Sequence, residues 1–198
     1  MSDLFDVVRR QRACRAFADD PVSDETVARV LEAATYAPSA ENSQPWVFVV
    51  VRDADLRARI GDLTRRVWES GARDAEVDRL DAALFADVDR GMSGGVAEAP
   101  VLVVVGCDTT RAHEGAVPDS IFPAVQNLLL AATALGLGSA LTTLATGFAD
   151  ELRDLVGLPA HVRPMAVVPL GHPARPLGPP RRTPFSATTH RDHYGEPW

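Results

Sequence analysis

APSAENSQPWVFVVV, residues 37–51, carries the reading of the chain. Its second part, WVFVVV (46–51), is an unbroken run of β-branched and aromatic residues. That pattern fits a buried strand. Its first part, APSAENSQPW (37–46), is polar and rich in turn formers. Pro38 and Pro45 restrict the backbone at either end. Between them Ser39, Asn42 and Gln44 offer hydroxyl and amide donors and acceptors. Such a rigid loop suits the polar edge of a flat ligand. Ser39 can equally cap a single helical turn, and the two roles are compatible.

Working outward, Leu4, Val7 and Val8 share one face of a short helix over 3–12. Ser23 caps a helix over 24–36, with Val27, Val30, Leu31 and Ala34 inward and Pro38 as its stop. Residues 53–90 are charged and mostly helical, broken near Gly71. GMSGG (91–95) is expected as a flexible loop. VLVVVG (101–106) is a second buried strand, and 107–118 a loop. Asp119 caps a helix over 120–135 that Gly136 closes. A short extended piece over 139–144, a helix over 148–156 and a strand over 165–171 follow. The Pro- and Arg-rich tail from 172 has no core of its own. It is expected not to fold on itself and to run over a neighbouring subunit. This order of elements gives an α+β or α/β layer with helices covering a sheet, in one domain. GLG (136–138) follows a helix rather than a strand, so a Rossmann site is not supported.

Composition narrows the chemistry. All 20 basic residues are Arg, against 27 acids and a net charge of −7. With no Lys, Schiff-base catalysis, a Walker A loop and a Ser-x-x-Lys acylase are excluded. The acidic balance argues against nucleic-acid or membrane-surface binding. No apolar run approaches the roughly 20 residues needed to span a bilayer. The acidic opening MSDLFD does not read as a signal peptide, so a cytoplasmic location is expected. Cys14 and Cys107 have no metal-ligand spacing, and no metal is expected.

The charge is uneven. Residues 7–17 hold Arg9, Arg10, Arg12 and Arg15, and residues 171–191 hold Arg175, Arg181, Arg182 and Arg191, with no acid in either stretch. Bringing both stretches to one place needs an anion between them, and a phosphate suits Arg forks. The alternative is two solvated faces, each paired with surface acids.

The sequence resembles the FMN-dependent nitroreductase family. The resemblance rests on QRACRAF (11–17), APSAENSQPW (37–46), QNLLLAATALGLGS (126–139), VPLGHP (168–173) and RRTP (181–184), in family order. It implies an α+β fold with a central, mostly antiparallel sheet covered by helices. It also implies a variable lid-like helical segment at about 61–95 and a C-terminal arm, 172–198, reaching over the partner of a homodimer. FMN then lies at the subunit interface. The N-terminal motif supplies Gln11, Arg12, Ala13 and Arg15, and the tail supplies Arg181 and Arg182, around the phosphate. Gln11 and Ala13 depart from the family's Arg and Ser. Pro38, Ser39 and Asn42 are placed at the flavin ring or ribityl chain, and Gln44 either contacts the ring or braces the loop. Thr142, Thr143 and Leu144 pass one face of the ring, where a main-chain N–H near Thr143 or Leu144 donates to N5.

The chemistry implied is ping-pong electron transfer from NADH or NADPH to a nitroaromatic or quinone-type acceptor, with no catalytic side chain. Alternatives are a flavin-binding or storage protein without nicotinamide turnover, or a specialised relative: a dehalogenase, a flavin-cleaving enzyme or a heterocycle dehydrogenase. Trp68, Phe85 and Met92 are lid candidates, although Trp68 and Phe85 read better as core. Cys14 sits between two Arg residues that would lower its pKa, unless it is simply buried. Gln126 or Asn127, polar on an apolar helix, is expected to contact flavin or a partner subunit.

Overall fold

A computed structural model describes residues 3–198. The valine-rich runs become the middle of a four-stranded antiparallel sheet. Its strands are β1 (Trp46–Val51), β2 (Val101–Asp108), β3 (Gly138–Ser139) and β4 (Val162–Gly171), in the order β1-β2-β4-β3. β2 shows why its sequence is apolar at every position. Val101, Val103, Val105 and Cys107 enter one core, while Leu102 and Val104 enter another on the opposite face. Side chains alternate across a strand, so covering both faces with helices requires a continuous apolar run.

The first core is closed by α2 (Asp24–Thr35) and α7 (Val117–Ala134). Ser23 caps α2 as its position implies, its Oγ accepting from the Thr26 N–H at 3.1 Å. α1 (Leu4–Arg10) lies against α7. The second core is closed by α3 (Ala54–Val67), which Asp53 caps, and by α8 (Ala149–Leu155). Between α3 and β2 run α4 (Arg73–Val77), α5 (Ala82–Arg90) and the short α6 (Val96–Glu98).

Three expectations change. GMSGG is not a flexible loop: residues 91–95 form a wide helical turn joining α5 to α6, with Gly91, Met92 and Gly95 buried. α7 starts at Val117 rather than 120, and Asp119 is in its first turn instead of capping it. Pro118 explains the earlier start, because a first-turn proline needs no N–H and already has a helical φ. The end of the tail does fold on itself. His190 bridges Pro197, the Arg191 N–H donates to Glu196 O at 3.0 Å, and the His190 and Tyr194 rings lie 4.6 Å apart.

Candidate functional site

The segment after α1 crosses the free edge of β3. Ala13 bridges Ser139, and the Cys14 N–H donates to Ser139 O at 2.9 Å. Gly138 permits this approach, since a Cβ there would lie 2.6 Å from Cys14 Sγ. The start of the tail then doubles back over the same segment. The Ala18 N–H donates to His172 O at 2.8 Å, the Ala174 N–H to Ala16 O at 3.0 Å, and Arg12 Nη1 to Gly178 O at 3.1 Å. The two acid-free basic stretches are thereby adjacent.

Their meeting forms a groove of about 640 Å³ whose walls include Arg12, Ala13, Asp87, Arg175, Arg181 and Arg182. Among the described residues, Arg12, Arg181 and Arg182 reach no carboxylate. Arg182 Nη1 donates only to its neighbour's carbonyl, Arg181 O, at 2.9 Å. The anion expected between the two basic stretches is in part the protein's own. Asp87 on α5 takes Arg15 Nη1 at 2.9 Å through one oxygen and Arg175 Nη2 at 3.4 Å through the other.

A second cleft, of about 510 Å³, adjoins the groove at Leu84. Arg15, Trp68, Met92, Thr142, Thr143 and Leu144 are among its walls. Arg15 therefore belongs to this cleft and Arg12 to the groove. The Thr142 N–H is used, donating to Val167 O at 3.0 Å, and the Leu144 N–H reaches Thr142 Oγ1 at 3.3 Å. The Thr143 N–H has no partner among the described residues. Arg15 Nε is buried and also lacks one.

Pro38, Ser39, Asn42 and Gln44 are elsewhere. Their loop is tied to the far end of the sheet: the Asp108 N–H donates to Pro45 O at 2.7 Å, and the Ala40 N–H to Ser120 Oγ on α7 at 3.1 Å. The loop is braced internally, with the Gln44 N–H donating to Ser39 Oγ at 3.0 Å and Gln44 Nε2 to Asn42 Oδ1 at 3.2 Å. Glu41, Asn42 and Gln44 all have positive φ, at 55°, 55° and 48°. Left-handed residues other than Gly cost about 1 kcal/mol or more each and cluster at functional sites. Within one chain this loop and the Arg groove occupy opposite corners of the sheet. Three strand spacings and about six residues of rise separate them, roughly 25 Å. Gln11 is the C-cap of α1 and lines neither cleft.

Other candidates resolve simply. Cys14 is buried, and burial pushes its thiol pKa up despite the flanking arginines. Trp68 is buried against Phe85, and its indole N–H donates to Asp89 at 2.8 Å, which with Arg73 holds that carboxyl below its usual range. Asn127 Nδ2 braces α2 by donating to Ala33 O at 3.2 Å, and neither it nor Gln126 lines the groove or the second cleft. Asp87 was not foreseen from the sequence. It is one of two acids on α5, with nothing local to single it out, and only the fold brings it to Arg15, 72 positions away.

Comparison with known proteins gives a consistent picture. The chain is 31% identical over 179 residues to a protein of Methanothermobacter thermautotrophicus that carries the provisional name NADH dehydrogenase/NAD(P)H nitroreductase; the match covers 89% of this chain and 80% of the relative. It is 27% identical to the FMN reductase [NAD(P)H] of Bacillus subtilis, covering 98% of this chain and 75% of the relative. Among solved structures, oxidised iodotyrosine deiodinase bound to FMN and 3-iodo-L-tyrosine superposes with a TM-score of 0.75 at 26% identity, covering 92% of this chain and 96% of that one. The model of the Nitroreductase family matches residues 8–172, and with that span, this fold and these relatives the chain belongs to the Nitroreductase family.

Proposed function

We propose that this protein is a cytoplasmic, FMN-dependent oxidoreductase that passes electrons from NADH or NADPH to a small nitroaromatic or quinone-type acceptor. The observation that carries the reading is the groove with three arginines free of carboxylates, Arg12, Arg181 and Arg182, adjoining a cleft edged by the unpartnered Thr143 N–H. The donor set fits FMN. Guanidinium forks match a phosphate dianion bidentately, and a main-chain N–H suits a ring nitrogen. The names of the nicotinamide-linked relatives support the same chemistry.

When bound, FMN supplies the hydride chemistry, accepting it from a nicotinamide and passing electrons to the acceptor. The chain's residues bind, orient and exclude water. Arg12, Arg181 and Arg182 take the phosphate. Thr142, Thr143 and Leu144 edge the ring, with Thr143 contributing its backbone N–H. Trp68, Leu84, Val88 and Met92 form an apolar wall, and the segment at about 61–95 acts as the lid. Ser39, Asn42 and Gln44 complete the ring site from a second copy of the chain, because their own loop is a sheet diagonal away. A homodimer with FMN between subunits satisfies both halves, a two-fold pairing in which each chain lends a loop to the other.

The test is the absorption spectrum of the purified protein before and after anaerobic NADH and NADPH. Flavin bands that bleach with either nicotinamide and return with a quinone or nitrofuran support the reading. Bound FMN that neither nicotinamide bleaches rejects turnover in favour of flavin binding alone. Absence of flavin binding even at micromolar FMN rejects the reading as a whole. A second reading, reductive dehalogenation, draws on the likeness to iodotyrosine deiodinase and predicts that reduced protein is reoxidised by an iodophenol but not by a quinone.

A further inference from the structure

We propose that Asp87 positions Arg15 beside the ring cleft and neutralises it, so that a carboxylate on α5 sets the charge presented to the ring. The inference rests on the cofactor reading above. The side chains of Asp87 and Arg15 are only 20% and 19% exposed and meet at 2.9 Å. Asp87 lines the groove and Arg15 lines the cleft, so their ion pair forms the partition between the two. The Arg15 stem is held as well: a Cβ on Gly91 would come within 2.6 Å of Arg15 Cδ. With its stem packed and its head paired, Arg15 is kept on the cleft side and away from the phosphate position.

The consequence follows from charge. Hydride delivery from NAD(P)H adds two electrons and one proton at the ring, leaves NAD(P)⁺, and gives the ring one added negative charge. A free guanidinium at the cleft wall stabilises that charge strongly. A paired one does so weakly, because the carboxylate cancels most of its field. Asp87 thus lowers the reduction potential of the bound cofactor. Arg175 opposes it, since it is the second cation on the same carboxylate and is 63% exposed. Neither residue touches the acceptor in this account. Asp87 acts through Arg15.

The measurement is the midpoint potential of FMN bound to the full-length protein, by equilibration with a reference dye, alongside the FMN Kd from quenching of flavin fluorescence. Asp87→Asn is expected to favour the reduced form about tenfold, equivalent to ~30 mV for a two-electron couple. Asp87→Glu should stay near wild type. Asp78→Asn, which removes an exposed acid from the same region, should leave the potential unchanged. Arg175→Gln should move it the other way, by a few-fold, and carries the test alone if Asp87→Asn fails to fold. An unchanged or lowered potential in folded, FMN-bound Asp87→Asn overturns the proposal. So does a shift of equal size in Asp78→Asn, or an unchanged or raised potential in Arg175→Gln. Wild-type protein that binds no FMN overturns the cofactor reading instead, and this inference with it.

Discussion

Arg residues of the same charge do different jobs in this protein, and their partners tell them apart. Arg73 is tied to Asp89 at 2.9 Å and lies over the Phe85 ring, with its guanidinium carbon 5.3 Å from the centroid. Among the described residues, Arg12 and Arg182 meet only carbonyls, and both line the groove. Hydrogen bonds to charged groups contribute about 1.5–3 kcal/mol. Arg12→Ala and Arg182→Ala should therefore each weaken FMN binding roughly 10- to 100-fold, measured by fluorescence titration. Arg73→Ala should leave the FMN Kd unchanged and lower stability only slightly in a thermal melt, because its ion pair is exposed to solvent. The absence of acids around Arg12 and Arg182 was legible in the sequence. The pairing of Arg15 and Arg175 with Asp87 was not, because contacts across 72 and 88 positions leave no local trace.

At the scale of elements, the unbroken apolar runs and the helical periodicities reported the strands and long helices directly, since burial on both faces or on one dictates them. GMSGG shows where pattern misleads. Its glycines do not mark flexibility. Gly94 has φ +158°, and a Cβ on Gly95 would lie 2.8 Å from Arg15 O, a backbone atom that cannot rotate away. Glycine is needed there for close approach of the 91–95 turn to the Arg15 segment. Gly95→Ala should cost about 1–3 kcal/mol, lowering Tm by several degrees in a thermal melt. Gly115→Ala, with open space around it, should change stability by less than about 0.5 kcal/mol. A Gly95→Ala protein as stable as wild type would contradict the packing described.

At the scale of the whole molecule, the roughly 25 Å between the braced loop 37–46 and the Arg groove makes a specific demand. If each FMN uses one chain's groove and the other chain's loop, two differently damaged chains can complement each other. Arg12→Ala and Asn42→Ala dimers should each bind FMN poorly. Subunits of the two, mixed and reassociated, form mixed dimers in which one site carries both defects and the other carries none. About a quarter of all sites should recover wild-type affinity at random pairing, read as tight FMN binding in a titration. No recovery in dimers shown to have exchanged subunits would place both halves of the site on one chain.

The sequence alone determined the central strands and the long helices, because local patterning reports which faces are buried. It also determined the sign of the charge at the tail and at the segment after α1, because the lack of acids there is written in the residues themselves. The motif at 37–46 was legible as a rigid polar loop for the same reason. Which residues meet was decided only by the tertiary structure. Strand order carries β3 to the far side of the sheet from β1, and so separates Ser39, Asn42 and Gln44 from Arg12. The same packing lays α5 over the N-terminal segment and brings one carboxylate between Arg15 and Arg175. Electrostatic partners are chosen by distance in space, and distance in space is set by the cores on either side of the sheet.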